Sequence, residues 1–181
     1  GARLHQKVFE ERFLYWADKL GYLVWGEYTS WGVDVGLPET ARNFLSEWQN
    51  IIVRDRNHPS IVTWTPLNEA WYPDNVQYPR FVEDLYTVTH ITDPTRPVNT
   101  VSGGNITKDY DIFAMHNYEQ DGAKLKAKVY NPATGAFFHY KARNPKKPRQ
   151  SSGMPPVGDI ASKAFFKQAV YDGKRPYILD E

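Results

Sequence analysis

Cysteine is missing from all 181 residues, which excludes disulfides, thiolate metal sites and a cysteine nucleophile but leaves the compartment open. Net charge is almost missing as well. With 22 basic residues against 21 acidic ones, no whole-chain field points to nucleic acid or to a membrane surface as a partner. Nor is there a Gly-x-Ser-x-Gly elbow, a glycine-rich phosphate loop or a His-Glu-x-x-His pair. No signal peptide and no initiating methionine are present. The chain opens on Gly-Ala-Arg-Leu-His and closes on an apolar run, so we expect an excerpt from a longer polypeptide. Its 41% hydrophobic and 24% charged content is ordinary for a globular domain and argues against both disorder and a membrane span. What the chain has in excess is aromatic surface, 15% with six Trp and twelve Tyr, enough for a large core and for flat faces lining a pocket.

Hydrophobic spacing alternates between two periods. Over 8–20 apolar residues fall at Phe9, Phe13, Trp16, Ala17 and Leu20, a helical stripe that Gly21 ends. Residues 23–27 read as a buried strand, and 39–54 as a helix with Ala41, Phe44, Leu45, Trp48, Ile51 and Ile52 on one face. The turn Asn57-His58-Pro59-Ser60 leads into a strand over 61–65. A helix over 78–91, strands over 98–101 and 111–118, a helix over 161–171 and a strand over 177–180 follow. With a strand remnant at 2–5, short doubly buried strands alternate with amphipathic helices throughout. That is the pattern of right-handed βαβ units on a parallel sheet. The expected fold class is therefore α/β, a (β/α)8 TIM barrel that is incomplete and runs from about strand two to strand seven.

Residues 1–181 form one partial catalytic domain in this reading, broken by an irregular basic insertion over 122–158. Lys141, Arg143, Lys146, Lys147 and Arg149 crowd together there with Pro145 and Pro148, and no stacking aromatics interleave with them. A solvated insertion fits that composition better than a phosphate-binding patch.

The stretch 61–71, IVTWTPLNEAW, carries the chemistry: a β-type run stops at Asn68-Glu69, flanked by Trp64 and Trp71. Arg175-Pro176-Tyr177-Ile178-Leu179-Asp180-Glu181 repeats the form, an apolar run capped by an acid. Two acids at strand ends, remote in sequence, face each other only if the chain wraps a common centre. Paired carboxyls across a cavity are what glycosidic cleavage needs, one to attack the anomeric carbon and one to protonate the departing oxygen.

These residues resemble the catalytic barrel of glycoside hydrolase family 2, the family of β-galactosidases, β-glucuronidases and β-mannosidases. The similarity rests on Arg-Asp-Arg-Asn-His-Pro-Ser-Ile-Val-Thr-Trp over 54–64, on Asn68-Glu69, on Tyr15-Trp16-Ala17-Asp18-Lys19-Leu20-Gly21 before Trp25-Gly26-Glu27, and on the 175–181 run. The resemblance implies a retaining, exo-acting β-glycosidase with Glu69 as acid/base and Glu181 as nucleophile. It also implies flanking strands and β-sandwich domains outside this chain and a carbohydrate substrate; no motif in the residues calls for a cofactor or a metal. By the same resemblance Asn68 binds the sugar 2-hydroxyl, and Tyr118, in His116-Asn117-Tyr118, donates to the nucleophile. Trp71 is the expected sugar platform and His116 an expected substrate contact, while Trp64 has the larger packing share. In the family's strand-two Arg-x-Ser-His, Arg3 matches the arginine, His5 stands at the serine and Gln6 at the histidine, where its amide can replace the ring. Arg3 is expected to be a buried charge partner. Glu27 is expected to be a supporting hydrogen-bond or ion-pair residue, with direct substrate contact as the minority reading. Metal ligation by His116 with Asp111 or Asp121 has no supporting spacing. The rival readings are a barrel that holds carbohydrate without cutting it, and a structural excerpt with no function of its own. Taken alone, residues 1–181 are expected to be weakly active or inactive, because an open barrel exposes two edges. The particular sugar, the compartment and the oligomeric state are not legible.

Overall fold

The computed structural model describes residues 1–35, 37–70, 77–103, 106–131, 136–137 and 171–181. Parallel strands β1 (Ala2–Arg3), β2 (Val24–Glu27) and β3 (Ile61–Thr65) lie side by side, with Ala2 paired to Val24 and Gly26 to Trp64. Pro66 has no N–H to give a ladder, and β4 (Leu67–Asn68) resumes the same path beyond it. Next in line, Trp64 bridges Val98, and Leu67 pairs with Val101 of β5 (Val101–Ser102). The Asp111 N–H donates to Val98 O at 2.9 Å, which brings in β6 (Phe113–Met115). β6 in turn pairs in parallel with the last strand of the chain, Tyr177–Leu179. The result is a parallel arc whose strands all end on one side, the geometry of a (β/α)8 barrel read part-way round.

Helices α1 (Glu11–Leu20), α2 (Pro38–Asp55) and α3 (Tyr78–Thr92) link the early strands. α2 buries Phe44, Trp48 and Ile52, and α3 buries Phe81, Val82, Leu85 and Thr89, as their spacing predicts. Trp48 and Trp64 meet edge to face at 5.7 Å, and each indole N–H finds an acceptor at 2.8 Å, Thr89 Oγ1 and Asp93 Oδ2 respectively. Gly26 is where this packing demands glycine, since a Cβ there would lie 2.5 Å from the Trp64 ring.

Two expectations are corrected. On α1 the buried residues are Leu14 and Ala17, while Trp16 is 49% and Leu20 76% exposed. Phe9 and Phe13 pack only partly against the core. At the start of the stretch read as irregular there is a helix, α4 (Gly122–Val129), whose first N–H groups at Ala123 and Lys124 donate to the Asp121 carboxylate at 2.9 and 3.2 Å. A short antiparallel pair, β7 (Tyr130–Asn131) with β8 (Ala136–Phe137), follows it, and the final strand is β9 (Tyr177–Leu179). The basic residues at 141–149 and the helix expected over 161–171 lie outside the described residues, apart from Tyr171. Among the described residues no helix is long and apolar enough to cross a membrane.

The 54–64 motif proves to be the floor of the barrel. Asp18 accepts from Ser60 N at 2.9 Å and pairs with His58 Nδ1 at 2.6 Å, while Arg96 donates to Ile61 O at 2.6 Å and to His58 O at 2.9 Å. Residues at the strands' N-terminal ends therefore fix where β3 begins, and so where it delivers Glu69.

Candidate active site

Each strand of the arc contributes a polar side chain at or just beyond its C-terminal end: Arg3, Glu27, Glu69, Ser102, His116, Asp180 and Glu181. Glu69 follows β4 with φ of 46°, left-handed backbone that a non-glycine residue adopts only when its surroundings hold it there. Its N–H donates to Ser102 O at 2.8 Å, which pins the strained residue to β5. Glu181, directly beyond Asp180 at the end of β9, sits across the same space. One carboxyl oxygen of Glu69, one of Glu181 and a ring nitrogen of His116 all lie within 4.8 Å of one another. The two expected acids therefore converge.

Glu181 is held on three sides. Arg3 Nη2 donates to Oε2 at 2.6 Å, the Tyr118 hydroxyl donates to Oε1 at 3.1 Å, and His116 Nε2 stands 3.3 Å from Oε2. Burial alone would raise its pKa, yet the His116 ring, the Tyr118 hydroxyl, Arg3 and His5 together hold the carboxyl below its ordinary value. The reciprocal effect on Tyr118, burial together with the nearby carboxylate, pushes the phenol up to about 12 and keeps it a donor.

Arg3 is the hub. Besides Glu181 it reaches Asp180 Oδ2 at 3.2 Å, Glu27 Oε2 at 3.3 Å and His5 Nδ1 at 2.8 Å, and it donates to Ser102 Oγ. Glu27 is sealed behind it, with burial, opposed by Arg3 but helped by the charges of Asp180 and Glu181, raising its carboxyl to about 7. This is the supporting ion pair expected of Glu27. Its side chain is fully buried, so the minority role of touching sugar directly does not fit.

Other expectations fare differently. Gln6 also has positive φ, 25°, and its Oε1 accepts from Ser30 N at 3.2 Å and Trp31 N at 3.0 Å. The amide oxygen is thus engaged by the loop after β2. Asn68 is fully buried, and neither atom of its carboxamide has a hydrogen-bond partner among the described residues. Trp64 lies in the helix-facing core and forms no wall beside Glu69. Trp71 falls outside the described residues. His116 is not gathered with Asp111 or Asp121, since Asp111 serves His90, Tyr86 and the Val98 N–H, and Asp121 caps α4. Glu69, His116 and Glu181 are donor types a divalent cation uses, but each is already engaged within the site. The sequence reading missed Ser102 and Asp180. The signal for Asp180 was the acidic doublet at 180–181 set against one strand-end cation, Arg3.

A family model described as "Glycosyl hydrolases family 2, TIM barrel domain" matches residues 10–152. The chain belongs to this family. The matched span includes Glu69 and Tyr118 and stops short of Glu181. Family 2 relatives include a β-glucuronidase from Chlorocebus aethiops, 28% identical over 121 residues, 61% of this chain and 18% of that protein. A β-galactosidase from Vibrio vulnificus is 34% identical over 77 residues, 42% of this chain and 7% of the relative. The chain therefore spans less than a fifth of these curated relatives. A solved β-D-glucuronidase from Dictyoglomus thermophilum shares the fold, with a TM-score of 0.55 and 23% identity over 64% of this chain and 23% of that structure. The incomplete barrel is thus a segment of the family 2 TIM barrel domain.

Proposed function

We propose that the complete polypeptide is a retaining, exo-acting β-glycosidase of β-glucuronidase or β-galactosidase type, acting on a terminal β-linked sugar. The observation that carries the reading is the separation of Glu69 and Glu181, whose facing oxygens lie within 4.8 Å. Retaining enzymes hold their carboxyls about 5–5.5 Å apart, whereas inverting enzymes leave about 6.5–9.5 Å for a water between them.

In the first step Glu181, kept ionised by Arg3 and the Tyr118 hydroxyl, attacks the anomeric carbon from below while Glu69 passes its proton to the departing oxygen. The glycosyl-enzyme ester removes the charge on Glu181. Glu69, now a carboxylate, then takes a proton from water, the water attacks the same carbon, and Glu181 departs. Two inversions return the β configuration. Asn68, whose unpartnered carboxamide costs about 1–3 kcal/mol while it stays unpaired, is suited to the sugar 2-hydroxyl once it turns toward the cavity.

Azide tests the two roles separately in the complete enzyme, on a panel of aryl β-glycosides that includes glucuronide and galactoside. Glu69→Ala with azide should yield the β-glycosyl azide, because the covalent intermediate still forms. Glu181→Ala with azide should yield the α-glycosyl azide. The same anomer from both variants, or undiminished turnover in either, would sink the assignment.

A further inference from the structure

The loop that follows β2 is fastened to the site from two sides. Gln6, just beyond β1, takes two of the loop's N–H groups on one amide oxygen, Ser30 N at 3.2 Å and Trp31 N at 3.0 Å, and its own carbonyl accepts from the Thr29 hydroxyl at 2.6 Å. On the other side Ser30 Oγ accepts from the Asn68 N–H at 3.1 Å and lies 3.2 Å from Asn68 O. The loop is thereby bound to the backbone that delivers Glu69. A turn closed by the Val33 N–H on Ser30 O at 3.3 Å encloses Trp31, and Ser30 and Val35 on either side of it are buried. Trp31 itself is 63% exposed. Among the described residues no other ring packs against it. An indole left in water forfeits one of the largest apolar burials a side chain offers, and here the backbone that holds it out is fixed by side chains of the site. Tyr15 and Trp16 are exposed too, but on α1, outside the sheet. Trp31 stands beyond the C-terminal end of a strand, the face that carries both acids.

Resting on the reading of Glu69 and Glu181 above, we propose that Trp31 is a platform for the leaving group, receiving the flat apolar face of the ring next to the scissile oxygen, whether an aryl ring or the C–H face of a second sugar. Depth decides which part of the substrate it meets. The acids act at the anomeric carbon, and Glu27, Asn68 and His116 around them are buried. A terminal sugar with its anomeric carbon between Glu69 and Glu181 lies at that depth, and the departing group extends from it toward solvent. An exposed indole at the rim meets the departing group. Because Ser30 ties the loop to the residue before Glu69, a ring resting on Trp31 is also held in register with the acid that protonates its oxygen.

The test uses Trp31→Ala and Trp31→Phe in the complete enzyme, on the sugar that the aryl glycoside panel identifies. The quantity is kcat/KM, which reports the first glycosylation step. Three substrates are compared: a 4-methylumbelliferyl β-glycoside, a β-linked disaccharide and a β-glycosyl fluoride, whose leaving group has no ring. Taking variant over wild type on each substrate cancels its intrinsic reactivity. An aromatic contact is worth about three- to tenfold, so Trp31→Ala should lose about that much on the ring-bearing substrates and less than about twofold on the fluoride, while Trp31→Phe keeps most of the activity. The glycosyl-enzyme of Trp31→Ala should also pass less sugar to an added aromatic alcohol relative to water, since the acceptor takes the place the leaving group vacated. A loss on the umbelliferyl substrate alone assigns the platform to aryl groups, and a loss on the disaccharide alone assigns it to a second sugar; either supports the proposal. Equal losses on all three substrates, no loss on any, or a Phe variant as poor as the Ala variant would overturn it. The wild type on the fluoride separates the two levels. If it does not release the β-anomer first, the reading of Glu69 and Glu181 fails; if it does and the variants do not discriminate, only this inference fails.

Discussion

Glu27 makes a pH-dependent stability prediction that can be worked from the structure. Its carboxyl is raised from 4.5 to about 7, chiefly by burial, with Arg3 opposing and Asp180 and Glu181 adding to the rise. Between those pH values the folded chain binds a proton at this site that the unfolded chain has lost. Stability from this group is therefore fully present below about 4.5 and lost as pH rises through 7. One pH unit is worth about 1.36 kcal/mol, so the loss is about 3 kcal/mol. Glu27→Gln removes the titration while keeping size and hydrogen-bonding capacity. Whatever fixed cost the variant pays in its contacts with Arg3, His5 and the Gln6 N–H, the difference in unfolding free energy between variant and wild type should shift by about 3 kcal/mol in the variant's favour from pH 4.5 to 7.5. Denaturant unfolding followed by fluorescence of the buried Trp48 and Trp64, at four or five pH values, measures it. Other titrating groups are common to both proteins and cancel. A difference that is flat with pH, or that moves against the variant, would show that the Arg3 ion pair outweighs burial and would refute the reasoning.

Two further predictions concern the site and its support. Tyr118→Phe removes a donor from Glu181 at 3.1 Å and should lower kcat by roughly tenfold, the lower end for a charge-assisted bond because the tyrosine is largely exposed, and should move the acid limb of kcat/KM upward; an unmoved limb would show that Tyr118 does not act on the nucleophile. Gly21→Ala and Gly103→Ala form a contrast, since both have left-handed φ, 68° and 79°, but only Gly103 faces a neighbour. Gly21→Ala should cost about 1–2 kcal/mol in stability and leave kcat intact. Gly103→Ala should cost roughly 1–3 kcal/mol more and lower kcat by displacing His116, and equal effects in melting and kinetics would contradict that.

The legible parts of the chain were those where local chemistry and tertiary packing agree. β3 ends where it was expected because the Asn57–Ser60 turn opens it, Arg96 and Asp18 fix its start, and Pro66 interrupts it. The helical faces of α2 and α3 were legible because Phe44, Trp48 and Ile52 repeat every four residues against a sheet that takes them all. On α1 periodicity could not choose between neighbouring stripes, and it is Leu14 that is buried while Trp16 and Leu20 are exposed. α4 was hidden by its company, though Asp121 ahead of Gly122 and Ala123 was a capping signal available in the sequence. Glu69, Glu181 and Tyr118 were named from their strand-end places and from the resemblance, and the structure brings the three side chains together. The meeting of Ser102, Asp180 and His116 could not be read, because it depends on distances between strands far apart in sequence.

The central claim is that Glu181 becomes covalently bonded to the sugar while Glu69 serves as acid and base. Treating the complete enzyme with a 2-deoxy-2-fluoro aryl β-glycoside, then digesting it and sequencing the labelled peptide by mass spectrometry, tests that claim directly. The account predicts one glycosyl group per molecule, attached to Glu181 in the peptide that contains Tyr177 to Glu181, with Tyr118→Phe slowing its formation. A label on Glu69, a label on any other residue, or steady turnover of the cognate substrate with no covalent adduct would contradict it.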